Sequence, residues 1–386
     1  MPVAVSYPGV YIEELNGVSM SVSSSATSVP VFAVIDSNEF FIEPTRISSW
    51  MDYLNKKITT ISNVPVPYNP DDILDISMRA YFENGGGYCF LVPTAQLIAE
   101  VPKLIDVTTL VSAGQNIESA VSQLCGTGKC LFAILDGPKT DLSLDEEPVD
   151  PGDGEEEAAT VSRSSKMNKS VKTIAAPQTT LDTQYAAIYY PWLLATWALT
   201  PIPPSAAMAG VYCRVDLTRG VWKAPANVTL NGGVWPQFPV TDDLQGQYTE
   251  GDAINMIRVF NKGGTTVWGA RTRTNDSLWR YVPVRRLFDS AERDIRVAMK
   301  SAMFEPNSQP TWAEARGSIE NYLHALWQQG ALAGQRAEEA YFVQVGKDIT
   351  MTQTDIDEGK MIIKVGMAAV RPAEFIILQF TQDVAQ

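Results

Sequence analysis

Histidine is almost missing from this chain: His324 is the only one in 386 residues. It lies one position from an apolar helical stripe with no acidic or nucleophilic partner implied, so it reads as a structural imidazole and not as a general base. Cysteine is nearly as scarce. Cys89, Cys125, Cys130 and Cys213 never form C-x-x-C, which removes the usual zinc spacings and predicts buried free thiols. No metal or cofactor site is expected. Long apolar runs are lacking too. The longest, residues 185–199, is interrupted by Pro191 and falls short of the roughly 20 residues of a membrane span. The first residues carry no Lys, no Arg and no apolar core, so no secretory signal is legible and assembly in the cytoplasm is expected.

Positive charge is in deficit, with 30 Lys and Arg against 44 Asp and Glu for a net charge of −14. Binding to phosphates needs clustered Lys and Arg, so the bulk charge argues against a nucleic-acid binder. The deficit is uneven. Residues 141–157 hold nine carboxylates and no basic residue, among Pro148, Pro151, Gly152 and Gly154. Residues 141–171 are therefore expected to form a solvated acidic surface loop. Asp150-Pro151-Gly152-Asp153-Gly154-Glu155 departs from a calcium loop at its third and fifth positions. Between Arg258 and Lys300, by contrast, ten basic residues face four acidic ones, a local charge of +6.

Nucleotide-binding glycine motifs are also absent. Asn84-Gly85-Gly86-Gly87 follows a helical pattern and precedes a strand; a dinucleotide fingerprint runs in the opposite order, so these glycines read as a helix C-cap. Before Gly126-Thr127-Gly128-Lys129, the first P-loop glycine position holds Gln123.

What is present is a globular composition, 45% hydrophobic and 19% charged, long enough for two or three domains. Residues 1–22 form an arm in which Val10 and Ile12 alternate with Tyr11 and Glu13. A lone strand of this kind must pair, either with its own domain's sheet edge or with a neighbouring subunit. Residues 23–250 read as α/β. Continuous apolar runs at 31–35, 88–92, 129–135 and 185–192 are strands buried on both faces. Helices are expected after Pro44-Thr45, after Asp71-Asp72, and from Ser205 as N-cap.

Residues 251–386 read as a separate α+β domain. A strand at 255–260, a turn at Asn261-Lys262-Gly263-Gly264 and a return strand at 267–272 open it. An amphipathic helix follows at 284–304, with Val284, Leu287, Ala291 and Ile295 on its apolar stripe. Arg285, Arg286, Asp289, Glu292, Arg293, Arg296 and Lys300 lie off the stripe. Thr311-Trp312-Ala313-Glu314 reads as a capping box, and Gly330 ends that helix. Tyr341 to Val345 is a strand. Asp357-Glu358-Gly359 reads as a hairpin turn between residues 349–352 and 361–370. Residues 374–386 run extended, and the apolar Phe375, Ile376, Ile377, Leu378 and Phe380 would be an aggregation hazard if left unpaired.

Asn255 with Ile257 and Arg258, Val267-Trp268-Gly269-Ala270-Arg271-Thr272, Tyr281-Val282-Pro283-Val284-Arg285-Arg286, Phe304-Glu305-Pro306-Asn307 and Arg371-Pro372-Ala373-Glu374-Phe375 resemble the sheath protein of contractile phage tails. So do Tyr7-Pro8-Gly9-Val10-Tyr11-Ile12-Glu13-Glu14 and the segment Gly220 to Asn227. With Ser23-Ser24-Ser25-Ala26-Thr27 the chain is most similar to sheaths of phage-tail-like extracellular contractile injection particles.

The resemblance implies a structural subunit, not an enzyme. It would polymerise with itself as hexameric rings in a helical stack around an inner tube protein. Baseplate and terminator or cap proteins would be further partners, with no direct contact to nucleic acid or membrane. Such a particle is assembled in the bacterial cytoplasm and becomes part of a phage tail or a released particle. The inter-subunit arms would be the N-terminal strand (Tyr7, Val10, Tyr11, Ile12) and the C-terminal linking strand, 374–386 (Phe375, Ile376, Ile377, Leu378, Phe380). The basic helix face, Arg285, Arg293, Arg296 and Lys300, is either a solvated face with local ion pairs or a surface that meets an acidic tube. The alternatives are a baseplate or other tail component with a sheath-like domain, and an α/β enzyme. The single histidine and the failed motifs count against the enzyme, and the presence of arm, α/β domain and C-terminal domain counts against the partial component.

Overall fold

A computed structural model describes residues 21–58, 66–142, 183–249, 251–260 and 264–374. The chain forms two units: Ala26–Asp289 with Arg371–Gln386, and Met1–Ser25 with Ser290–Val370. Most of the expected acidic loop, residues 143–171, lies outside the described residues.

In the larger unit the strands are β1 (Pro30–Val34), β2 (Thr45–Ile47), β3 (Cys89–Pro93), β4 (Thr109–Val111), β5 (Phe132–Asp136), β6 (Ala186–Tyr190), β7 (Leu193–Ala195), β8 (Val228–Thr229), β9 (Val234–Pro236), β10 (Ile254–Phe260) and β11 (Gly264–Val267). Its helices are α1 (Trp50–Lys56), α2 (Ile73–Glu83), α3 (Leu97–Glu100), α4 (Glu118–Leu124), α5 (Pro204–Arg219) and α6 (Asp242–Gln247). Among the described residues a nine-stranded sheet runs β2-β3-β1-β4-β5-β6-β10-β11-β8, with β7 and β9 paired apart from it. The stretch from β3 to β10 is parallel throughout. Antiparallel strands close both ends.

The apolar runs are continuous because both faces are covered. Phe32 and Val34 join a core with α1, α2 and α5, while Val31 and Ala33 join one with α3, α4 and α6. Asp72 caps α2 as the sequence implies, accepting from the N–H groups of Leu74 and Asp75 at 2.9 Å. Asn84 ends that helix, and Gly85 follows at φ 97°.

Three expectations change in this unit. First, the domain boundary expected at residue 250 falls inside the sheet, because β10 pairs parallel with β6, Ile254 opposite Ile188. Second, Ser205 is not an N-cap. The helix starts at Pro204, whose missing N–H costs nothing there. The Ser205 N–H donates to Asp136 Oδ1 at 2.7 Å, and its Oγ accepts from the Ala113 N–H at 2.9 Å. Asp136 also accepts from Ser112 Oγ at 2.6 Å and the Gly114 N–H at 2.7 Å. Burial raises the Asp136 pKa, and these hydrogen bonds pull it back down. Third, β11 stops at Val267, where 267–272 was expected as strand. The Asn255 side chain replaces the ladder: its Oδ1 accepts from the Arg271 N–H at 2.7 Å and its Nδ2 donates to the Arg271 carbonyl at 2.8 Å. Gly269 permits this approach, since a Cβ there would lie 2.8 Å from Asn255 Oδ1 and 3.1 Å from its Cα.

Helix α7 (Val282–Met299) contains the division between the two units. The smaller unit adds α8 (Gln309–Gln328), α9 (Ala337–Ala340), β12 (Tyr341–Val345), α10 (Gln353–Asp357) and β13 (Ile363–Met367). Its packing centres on Trp312, Val345 and Met351, and on Ala302 against Ala315. The helix expected at 284–304 ends earlier, in a 3-10 turn at Lys300–Ala302.

The expected Thr311 capping box is absent. The helix begins before it, at Gln309, and Thr311 Oγ1 donates to the Pro306 carbonyl at 2.7 Å. A capping box forms instead at Thr352 and Asp355. That short helix occupies the place of the expected hairpin turn, so β13 pairs with β12, Val343 opposite Val365.

Gly210 sets the contact between α5 and α2. A Cβ there would lie 2.4 Å from the Tyr81 carbonyl oxygen and 2.8 Å from Asn84 Cβ. Gly210→Ala is expected to lower unfolding stability by about 1–3 kcal/mol, the usual cost of overpacking. Denaturant titration of the purified subunit measures it, and an unchanged midpoint would show that the helices can separate freely.

Candidate assembly sites

The described chain stops at Glu374, next to the predicted linking strand, and that residue is clamped. Arg271 Nε donates to its two carboxylate oxygens at 2.9 and 3.0 Å, and Nη2 donates to Oε2 at 2.6 Å. The Tyr281 hydroxyl donates to Oε2 at 3.2 Å. Arg271 is itself fixed: Asn255 holds its backbone and also donates from Nδ2 to the Ile188 carbonyl at 3.1 Å, and Arg271 Nη1 donates to the Thr249 carbonyl. Burial, then the Glu374 carboxylate, raise the Tyr281 pKa and keep it a donor. Four of the motifs singled out above, at 255, 267–272, 281–286 and 371–375, therefore meet at one place.

The start of the described chain is held as well. In the smaller unit, Asp294 Oδ1 accepts from the N–H and hydroxyl of Ser25, and Oδ2 accepts from the Tyr322 hydroxyl at 2.9 Å. Arg293 Nε donates to Ser25 Oγ at 3.2 Å. In the larger unit, Thr27 Oγ1 donates to Asp216 Oδ2 at 2.6 Å, and Arg286 donates to the Thr27 carbonyl at 3.1 Å. The arm residues Tyr7, Val10, Tyr11 and Ile12 lie outside the described residues. So do Phe375, Ile376, Ile377, Leu378 and Phe380.

β12 and β13 form a two-stranded sheet, and among the described residues no third strand lies on either outer edge. Val343 and Val345 are buried, while Phe342 and Gln344 are exposed. Both edges therefore present backbone donors and acceptors suited to an added strand.

The basic stretch is distributed otherwise than expected. Arg285 is not on an exposed face: it is 6% exposed, its Nη2 pairs with Asp289 at 2.9 Å, and its guanidinium lies over the rings of Trp279 and Tyr185 at 4.2 and 5.0 Å. Arg286 is buried over the Tyr212 ring and pairs bidentately with Asp216 at 2.6 and 2.9 Å. Burial works against its charge, but Asp216 more than offsets this, and its pKa is raised. The first turns of α7 are enclosed nearly all round, so residues off the apolar stripe are buried with their partners.

Arg293 is half-buried at the Ser25 clamp. Arg296 and Lys300 are exposed, with Arg296 pairing to Glu292 at 2.5 Å. His324 is half-buried between Gln328 and the Tyr341 hydroxyl. Cys89, Cys130 and Cys213 are buried, Cys125 is half-buried, and none of the four is in a disulfide.

Residues 274–383 match the family model of the phage tail sheath C-terminal domain. The chain is 24% identical over 192 residues to a prophage major tail sheath protein of Pseudomonas aeruginosa (strain UCBPP-PA14). That match covers 47% of this chain and 46% of the relative, about half the length of each. Among solved structures, it is 57% identical to a chain of an extracellular contractile injection system, the PVC sheath complex in its contracted state. The likeness covers 99% of both chains with a TM-score of 0.83. It is also 43% identical to a chain of the six-fold symmetrised anti-feeding prophage (AFP) baseplate, covering 99% of this chain and 100% of that one with a TM-score of 0.73.

Arg286 and Asp216 test how far the basic stretch is structural. Arg286→Met leaves a buried carboxylate without its cation and is expected to cost about 3–5 kcal/mol, whereas adding Asp216→Leu should recover much of that loss. A double-mutant cycle by chemical denaturation reads both numbers. A loss below 1 kcal/mol would place the pair in solvent.

Proposed function

Because this chain belongs to the contractile tail sheath family, and is a contractile-sheath subunit on that ground, we propose that it polymerises as stacked hexameric rings around an inner tube and drives that tube through a target envelope on contraction. The observation that carries the proposal is the two-stranded sheet of β12 and β13, which among the described residues has no third strand on either edge. A six-residue strand such as 375–380 extends about 20 Å, enough to run along such an edge of a neighbour. Each added backbone hydrogen bond contributes roughly 0.5–1.5 kcal/mol net. The N-terminal strand around Tyr7, Val10, Tyr11 and Ile12 takes the other edge in this reading. These links stay paired while the subunit bodies rotate. No nucleotide is consumed: the extended sheath is held by a barrier, and repacking between two arrangements releases the energy.

Baseplate, inner tube and terminator or cap proteins are the partners, without direct contact to nucleic acid or membrane. Assembly takes place in the bacterial cytoplasm before the particle is released or joined to a phage tail. Of the basic helix face, Arg296 and Lys300 remain as tube-facing residues. Exposed ion pairs contribute about 0–1 kcal/mol each, but six copies per ring fix the register of sheath on tube while the sheath is narrow. Arg285 is excluded by its burial, and Arg293 serves the Ser25 clamp.

Deleting residues 1–18 or 375–386 is expected to leave a folded subunit that sediments as a monomer and forms no tubes by electron microscopy. Tubes of normal length from either truncation would refute strand exchange. Co-expression with the tube protein tests the second site: Arg296→Glu with Lys300→Glu is expected to give tube-free, contracted-like polymers. Tube-filled extended particles at wild-type yield would remove this face from tube contact.

A further inference from the structure

We propose that Arg271, Glu374 and Tyr281 form an aiming clamp that fixes where and in which direction the C-terminal strand leaves the subunit, and that polymerisation depends on this aim as well as on the strand. The inference rests on the strand-exchange reading above. Glu374 directly precedes the strand-forming run, and its carboxylate receives three guanidinium contacts and one phenol contact. The Arg271 side chain is 7% exposed and held by Asn255 and Thr249, whereas the Glu374 side chain is 27% exposed. The anchor is thus rigid and the anchored residue sits at the rim. Fork-on-fork pairing of guanidinium and carboxylate fixes orientation as well as distance.

Two residues earlier, Pro372 has no N–H and a fixed φ, and residues 371–374 belong to no strand. The course of this lead depends on where Glu374 is held. A strand that starts from a fixed point searches a smaller volume than one swinging from a longer free lead. Its effective concentration at a neighbour's edge is correspondingly higher.

Four full-length preparations test this. Glu374→Gln keeps the size and removes the charge. Arg271→Lys keeps the charge and removes the fork. A Gly-Ser pair inserted between Glu374 and Phe375 keeps the clamp and frees the strand, with the two-residue length preserving the alternation of its side chains. Deletion of 375–386 is the reference for loss of the strand. Monomer unfolding midpoint and polymer yield at fixed concentration are read for each.

The expected result is a wild-type midpoint for the insertion and a lowered one for Glu374→Gln, which leaves the Arg271 guanidinium without its carboxylate, with polymer yield about tenfold lower in both; the insertion isolates the aim, since pre-organisation acts on assembly and not on the fold. Arg271→Lys is expected to follow Glu374→Gln in yield. Wild-type yield from the insertion overturns the proposal, even where Glu374→Gln destabilises the monomer, because the clamp then only supports the fold. If the deletion itself polymerises normally, the strand-exchange reading fails and this inference with it. If the deletion abolishes polymer while the insertion and Glu374→Gln assemble normally, only the aiming role fails.

Discussion

An arginine taken out of water must be met by a carboxylate, and this constraint shapes the larger unit. Arg271 meets Glu374, Arg273 meets Asp252, Arg285 meets Asp289 and Arg286 meets Asp216. Two of these pairs join segments far apart in sequence, 216 with 286 and 271 with 374. A buried ion pair adds little net stability compared with an apolar pair of the same shape. Its effect lies in the arrangements it forbids, since any packing that separates the partners leaves a bare charge in the interior. The buried arginines therefore select one course for the chain at Thr27 and at Glu374. The local charge of +6 between Arg258 and Lys300 is to a large extent this internal framework.

How much of this could be read from the residues depends on where each partner lies. The α/β order was legible because strands covered on both faces must be apolar throughout, as Pro30–Val34 and Cys89–Pro93 are. The Asp72 cap was legible because it acts on its own next residues. Ser205 misled because the carboxylate serving that helix start comes from Asp136, 69 residues away. Thr311 misled because its hydroxyl turns back to Pro306. Arg285 looked exposed because a helical stripe assumes one wet face, and the first turns of α7 have none. The clamp has one trace in the sequence: Arg271, Tyr281 and Glu374 each fall in a motif that resembles the sheath family's. Sequence order cannot show that three such motifs share one point in space.

A contractile sheath places opposed demands on its subunit. The body must keep its shape through a large rearrangement, and the links must bend without breaking. The nine-stranded sheet answers the first demand, with cores on both faces and close approaches such as Gly210 against Tyr81. In the strand exchange proposed above, backbone pairing answers the second. Its hydrogen bonds are numerous and individually modest, so rotation of a neighbour can be taken up in the lead without unpairing the strand. A side-chain interface of equal strength would have to be rebuilt during the movement, as densely packed surfaces do not deform smoothly.

Open edges carry a cost before assembly. The outer edges of β12 and β13, beside an exposed Phe342, would template indiscriminate pairing on a neutral protein. The net charge of −14 opposes this at long range, because like-charged monomers repel over about 8 Å at physiological salt. Strand exchange acts at contact and is hardly screened. In the proposed strand exchange, charge keeps free subunits apart until a specific strand meets a specific edge, after which many short hydrogen bonds outweigh a diffuse repulsion.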